Sequence, residues 1–117
     1  MSIRTEKVAE LIKHEVAFII PRHIDTSAFG IVTVTEVRIT ADLKLAKVYL
    51  SIFHSKIEKK AALERINNRK KEIRMALGSS IQLKFTPDII FYLDETLDRV
   101  EHIEEIFKQI HKEEGNS

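Results

Sequence analysis

The sequence predicts an α+β fold in which one small mixed sheet is covered by helices. Three observations predict it. Residues 31–39 and 45–54 are rich in β-branched side chains and are separated by a short polar turn, the pattern of an antiparallel hairpin. Residues 3–20 and 57–77 repeat apolar side chains at helical spacing. A third alternating run, 88–94, follows the second helical stretch, so a right-handed crossover sets it parallel to the strand at 45–54.

The elements follow in order. Ser2 is placed to cap the first helix, Val8, Leu11, Ile12 and Ile19 form its apolar stripe with Val16 on the flank, and Pro21 is expected to end it. Residues 22–30 read as a connecting loop closed by Gly30. In the turn at 40–44 the Asp42 carboxylate can accept from nearby backbone N–H groups. Along the second strand Ala46, Val48, Leu50 and Ile52 face one way, and Lys47, Tyr49, Ser51 and Phe53 the other.

Over 57–77 Ala62, Ile66, Ile73 and Leu77 share a stripe, with Leu63 beside it. Lys70 falls near the centre of that stripe, so either its stem snorkels out at the sheet edge or the helix is irregular there. The stretch then runs into Ala76-Leu77-Gly78 and two good N-cap residues, Ser79 and Ser80. One helix is therefore expected to bend at Gly78 and a short segment at 79–83 to begin, stopped before Pro87. Ile89, Phe91 and Leu93 alternate against Ile90 and Tyr92 in the last strand. Leu97, Val100, Ile103, Ile106, Phe107 and Ile110 mark an amphipathic C-terminal helix at 95–112, with a flexible tail at 113–117. Residues 1–94 then form one domain. Its order α-β-β-α-α-β is the topology of a type II KH domain, an RNA-binding fold in which a GxxG loop joins the consecutive helices.

Composition narrows the function. The 117 residues carry 44% hydrophobic and 32% charged side chains, no run long enough to span a membrane, and no apolar core of a signal peptide at the start, so a cytoplasmic protein is expected. Cysteine is absent, which excludes disulfides, thiolate catalysis and Cys-based zinc sites. The five histidines are scattered and form no His-Glu-x-x-His; three glycines leave no material for a phosphate loop or a dinucleotide turn. No enzyme, cofactor or metal is expected.

Charge distribution is more telling than the net +1. Residues 65–74 carry Arg65, Arg69, Lys70, Lys71 and Arg74 against Glu72 alone, whereas eight acids against three bases mark 94–114. The molecule is bipolar. Cations beside a glycine-containing bend suit phosphate, so Arg69, Lys70, Lys71 and Arg74 are candidates for phosphate contact. Gly78, Ser79 and Ser80 are candidates for close backbone approach, and Lys84 for the rim. Arg4, Lys7 and Lys13 on the first helix are weaker candidates. Phe53, Phe85 and Tyr92 are the only rings placed to be exposed, which favours recognition of RNA shape and backbone over base sequence.

Several segments then resemble one family. They are Arg4-Thr5-Glu6-Lys7-Val8-Ala9-Glu10-Leu11-Ile12, Val32-Thr33-Val34-Thr35-Glu36-Val37 and Asp42-Leu43-x-x-Ala46-Lys47-Val48-Tyr49-Leu50-Ser51, followed by Ile73-Arg74-x-x-Leu77 and Pro87-x-x-x-Phe91-x-x-Asp94. In this order and spacing they are similar to ribosome-binding factor A. The resemblance implies a type II KH-like fold in which an Ala-x-Gly kink replaces the GxxG loop, matched here to Ala76-Leu77-Gly78. It implies a noncatalytic protein that binds the immature small ribosomal subunit and its rRNA and assists late maturation and 5′-end processing. It also implies support for growth in the cold and departure before initiation, in some bacteria with a ribosome-associated GTPase. The family often has a small residue before Ile-Arg, where this chain has Lys70-Lys71. Two other readings are a general single-stranded RNA-binding KH module and a protein-interaction module acting through the C-terminal helix. A monomer is expected when free.

Overall fold

Alternation of β-branched residues builds the sheet. In the computed structural model, which describes residues 3–94, β1 (Ile31–Ile39) and β2 (Leu45–Phe53) pair antiparallel, and β3 (Asp88–Leu93) lies parallel on the other side of β2. The hairpin is set by its turn. Asp42 accepts from the Thr40 hydroxyl at 2.6 Å and from the Lys44 N–H at 3.0 Å, while Leu43 takes a positive φ of 61°. The same two hydrogen bonds, that from Thr40 foremost, hold the Asp42 carboxyl below the usual carboxylate range. A register shift between Val34 and Glu36 makes Thr35 a bulge, and its hydroxyl donates to Asp94 Oδ2 at 2.6 Å.

One face of this sheet is the core. Ala46, Val48, Leu50 and Ile52 are wholly buried, flanked by Val34, Val37 and Ile39 on β1 and by Ile89 and Phe91 on β3. Helix α1 (Ile3–His23) covers β1 and touches α4 (Lys70–Ser80); α4 and α3 (Lys59–Asn68) cover β3. From α1 come Ile12, Val16, Ile19 and Ile20. Leu11, expected on that stripe, is 41% exposed. The buried stripe is centred on Ile12, Val16, Ile19 and Ile20, with Val16 at its middle rather than its flank, and Leu11 lies about 100° round the helix from Ile12.

Three boundaries differ from the sequence expectation. Helix α1 does not stop at Pro21 but runs to His23: proline removes a single N–H near the helix end, where few bonds remain to be lost. Residues 22–30 contain a one-turn helix, α2 (Thr26–Phe29), capped by Asp25, which accepts from Ser27 N–H and Oγ. Gly30 closes it at φ 72°, where a Cβ would overlap the Phe53 carbonyl oxygen.

The third difference matters most. The long helical stretch is broken at Arg69, not at Gly78. Arg69 has φ −98° and ψ 5°, in the bridge region, and serves as C-cap of α3 and N-cap of α4. That break resolves the misfit at Lys70. Ala62 and Ile66 on α3 and Ile73 and Leu77 on α4 are all fully buried, while Lys70 begins the new helix exposed. Gly78, Ser79 and Ser80 lie in the last turn of α4, and the short helix expected next is not formed: residues 81–87 are an irregular segment leading into β3. The amphipathic helix expected at 95–112 and the tail at 113–117 lie outside the described residues.

Candidate nucleic-acid interface

The break at Arg69 decides where the cations sit. A helix N-terminus leaves its first N–H groups without intrahelical partners and carries the positive end of the macrodipole. Helix α4 starts at Lys70, has no side-chain cap, and bonds first from Ile73 N–H to the Arg69 carbonyl at 3.0 Å. Lys70 and Lys71 are both exposed in this first turn, so charge and backbone donors act at one place. Beside them runs a groove of about 470 Å³ lined by Lys70, Lys71, Arg74 and Met75 of α4 and by Asp88, Ile89 and Ile90 of β3.

The neighbouring arginines are engaged differently. Arg69 forks onto Glu72, with Nη1 at 3.1 and 3.3 Å from the two carboxylate oxygens. Arg74 reaches across to the segment before β3: Nη2 donates to the Thr86 carbonyl at 2.9 Å, Nε to the Pro87 carbonyl at 3.2 Å, and Nε lies 3.3 Å from Asp88 Oδ1. Its fork matches two successive carbonyls, a geometry lysine could not reproduce. Arg74 is thus a clamp on residues 86–88 as well as a cation.

Ser79 and Ser80 do not present the N–H groups expected of them. Their hydroxyls donate back to the Met75 and Ala76 carbonyls at 3.2 and 3.0 Å, and they stand at the C-terminal, negative end of α4. Phosphate is disfavoured there. Ala76 packs against the core, and Gly78 admits Thr86: a Cβ on Gly78 would lie 2.8 Å from Thr86 Oγ1. Gly78 therefore serves close passage of the chain's own segment. Lys84, with its ammonium 5.7 Å from the Phe85 ring, shares a second cavity of about 570 Å³ with Arg4, Lys44 and Arg74. Lys7 and Lys13, further along α1, line neither cavity.

Sequence reasoning missed Asn67. Its side-chain amide accepts from the Phe91 N–H at 3.0 Å and donates to the Phe91 carbonyl at 3.1 Å, closing part of the open edge of β3 as a strand would. The only signal was an Asn pair at 67–68 just before the break.

The profile described as ribosome-binding factor A matches residues 4–107. The chain is 39% identical over 110 residues to ribosome-binding factor A of Brevibacillus brevis, covering 94% of this chain and 91% of that one. The chain belongs to the ribosome-binding factor A family. Another member, from Chlorobium phaeobacteroides, is 40% identical over 116 residues, covering 97% of this chain and 99% of its own. The crystal structure of ribosome-binding factor A from Thermus thermophilus superposes with a TM-score of 0.68 at 21% identity, covering 76% of this chain and 94% of that chain. A homology model of the T. thermophilus protein, fitted into a cryo-EM map of its 30S complex, gives 0.64 at 21% identity, covering 74% and 90%. These likenesses establish the α+β family fold. Within it, this member of the ribosome-binding factor A family bends at Asn68-Arg69-Lys70, so the kink pattern matched to Ala76-Leu77-Gly78 is corrected to a position one helix earlier.

Proposed function

We propose that this chain binds the immature small ribosomal subunit through its rRNA, assists late maturation including 5′-end processing, and catalyses no reaction. The observation that supports this best is the pair Lys70 and Lys71 at the uncapped start of α4, beside a groove, in a family with a member described in a 30S complex. Cations, first-turn N–H groups and the dipole there all favour the phosphate backbone. Differential binding then does the work: the protein holds an immature arrangement of rRNA and loses affinity as the mature one forms. Release before initiation, aided by a ribosome-associated GTPase, action in the cytoplasm and a monomeric free state complete the reading. Arg4 and Lys84 extend the phosphate track past Arg74.

The experiment is co-sedimentation of the protein with immature and mature small subunits across a salt series. Preference for immature subunits is expected. Reversing both Lys70 and Lys71 to Glu should lower affinity and flatten the log K against log salt slope by about 1.5 or more, since two or more phosphate contacts are lost. Wild type pelleting equally with both kinds of subunit would refute the maturation role. An unchanged slope in the double variant would move the contact away from α4.

A further inference from the structure

The sheet face opposite α1, α3 and α4 carries a stack of π-systems that runs across all three strands. Tyr49 and Tyr92 are directly paired in the β2–β3 register, and their rings stack with centroids 5.5 Å apart and planes 27° from parallel. The Arg38 guanidinium of β1 lies 5.5 Å from the centroid of Tyr49, held by Glu36 Oε1 at 3.0 Å from Nε. The column therefore reads Arg38, Tyr49, Tyr92, and it ends at the outermost strand with Tyr92 38% exposed. Lys47, paired with Arg38 across β1 and β2, adds positive charge beside the column. Of the acids nearby, Glu36 is tied to Arg38 and Asp94 accepts the Thr35 hydroxyl.

We propose that the Tyr92 end of this column is a stacking site for an unpaired nucleobase of single-stranded RNA. The inference rests on the RNA-binding reading of the groove beside α4, and two features connect them. Ile90, two residues before Tyr92 and on the same face of β3, lines the groove that holds Lys70 and Lys71. A strand advances about 7 Å in two residues, so a backbone fixed at those lysines delivers its next bases to the β3 edge. The chemistry also fits. Tyr92 is backed by a second ring and a guanidinium, and among the described residues no other ring stacks on its far face, which would take any base and discriminate weakly by sequence. The lysines then supply phosphate affinity, and Tyr92 requires that the RNA at that point be unpaired. That requirement gives the protein a means of telling an unfolded rRNA segment from a helical one.

Tyr49 and Tyr92 are the only tyrosines and the chain lacks tryptophan, so intrinsic fluorescence reports on the column itself. The full-length protein is titrated with a ten-nucleotide oligoadenylate, and separately bound to immature small subunits. Oligoadenylate should quench tyrosine emission. Tyr92→Leu should weaken both interactions by about ten- to hundredfold with an unchanged salt slope, and Tyr92→Phe should restore them. Tyr92→Trp keeps the stack if Tyr92→Leu unfolds, and its indole emission should fall on titration. If wild type binds subunits and Tyr92→Leu binds within twofold of it, the stacking site is overturned and the RNA-binding reading stands. If wild type fails to bind subunits, that reading falls; quenching by oligoadenylate would then still support the stacking site, and its absence would overturn it.

Discussion

Gly78→Ala separates two pictures of the end of α4. If Gly78 were a kink with positive φ, alanine would cost on the order of 1 kcal/mol wherever it was tested. In the structure Gly78 is helical and exposed, so alanine gains up to about 1 kcal/mol of helix propensity, less in a last turn. Against this stands Thr86. The new Cβ would lie 2.8 Å from Thr86 Oγ1, but 3.7 and 3.8 Å from its Cβ and Cγ2, which is ordinary contact. Only the hydroxyl has to move, and turning it off its rotamer costs about 0.5–1.5 kcal/mol. The two terms nearly cancel.

Gly78→Ala alone should therefore change stability by less than about 0.5 kcal/mol, whereas in a Thr86→Ala background it should stabilise by about 0.5–1 kcal/mol, a coupling of similar size. Urea unfolding of the four proteins measures this, and the stabilised variant should melt roughly 2–5 °C above its parent. Additivity within about 0.3 kcal/mol would refute the contact. A loss of about 1 kcal/mol in both backgrounds would refute the helical Gly78.

Two further predictions concern side chains that hold β3. Asn67→Ala leaves the edge-facing N–H and carbonyl of Phe91 without their partner; it should cost about 1–3 kcal/mol and accelerate amide exchange at Phe91 selectively, and unaltered exchange there would contradict the edge closure. Arg74→Lys keeps the charge but loses the fork onto Thr86 and Pro87, so it should cost about 1 kcal/mol and speed proteolysis within 81–87; wild-type stability and cleavage would show that the charge alone matters.

Much of the sheet was legible because its cues are local and redundant. The alternation through Ala46, Val48, Leu50 and Ile52 assigns a face by itself, and the parallel placement of β3 follows from the helices that precede it. The breaks were less legible because each depends on tertiary context. Arg69 has no propensity to end a helix. Ala62, Ile66, Ile73 and Leu77 would share a face on an unbroken helix as well; what the break at Arg69 changes is Lys70, which would fall on that same face and instead opens α4 exposed. Gly78 carries the stronger local signal for a bend, yet it is needed as helix, at a point where Thr86 passes close. Asn67 and the Tyr49–Tyr92 stack are contacts between distant positions and left no periodic trace.

The misplaced bend also changes the electrostatics of the proposed site. With a bend at Gly78, phosphate would meet N–H groups of Ser79 and Ser80, and the cations would sit one or two turns upstream. With the bend at Arg69, the same residues lie at the negative end of α4, and the positive end coincides with Lys70 and Lys71. The four cations of 69–74 then divide by geometry. Arg69 is partly neutralised by Glu72, and Arg74 spends its donors on Thr86 and Pro87, so the charge open to an external phosphate is concentrated at the two lysines. Lys70, the residue that spoiled the apolar stripe, is at once the evidence for the break and the first cation of the surface the break creates.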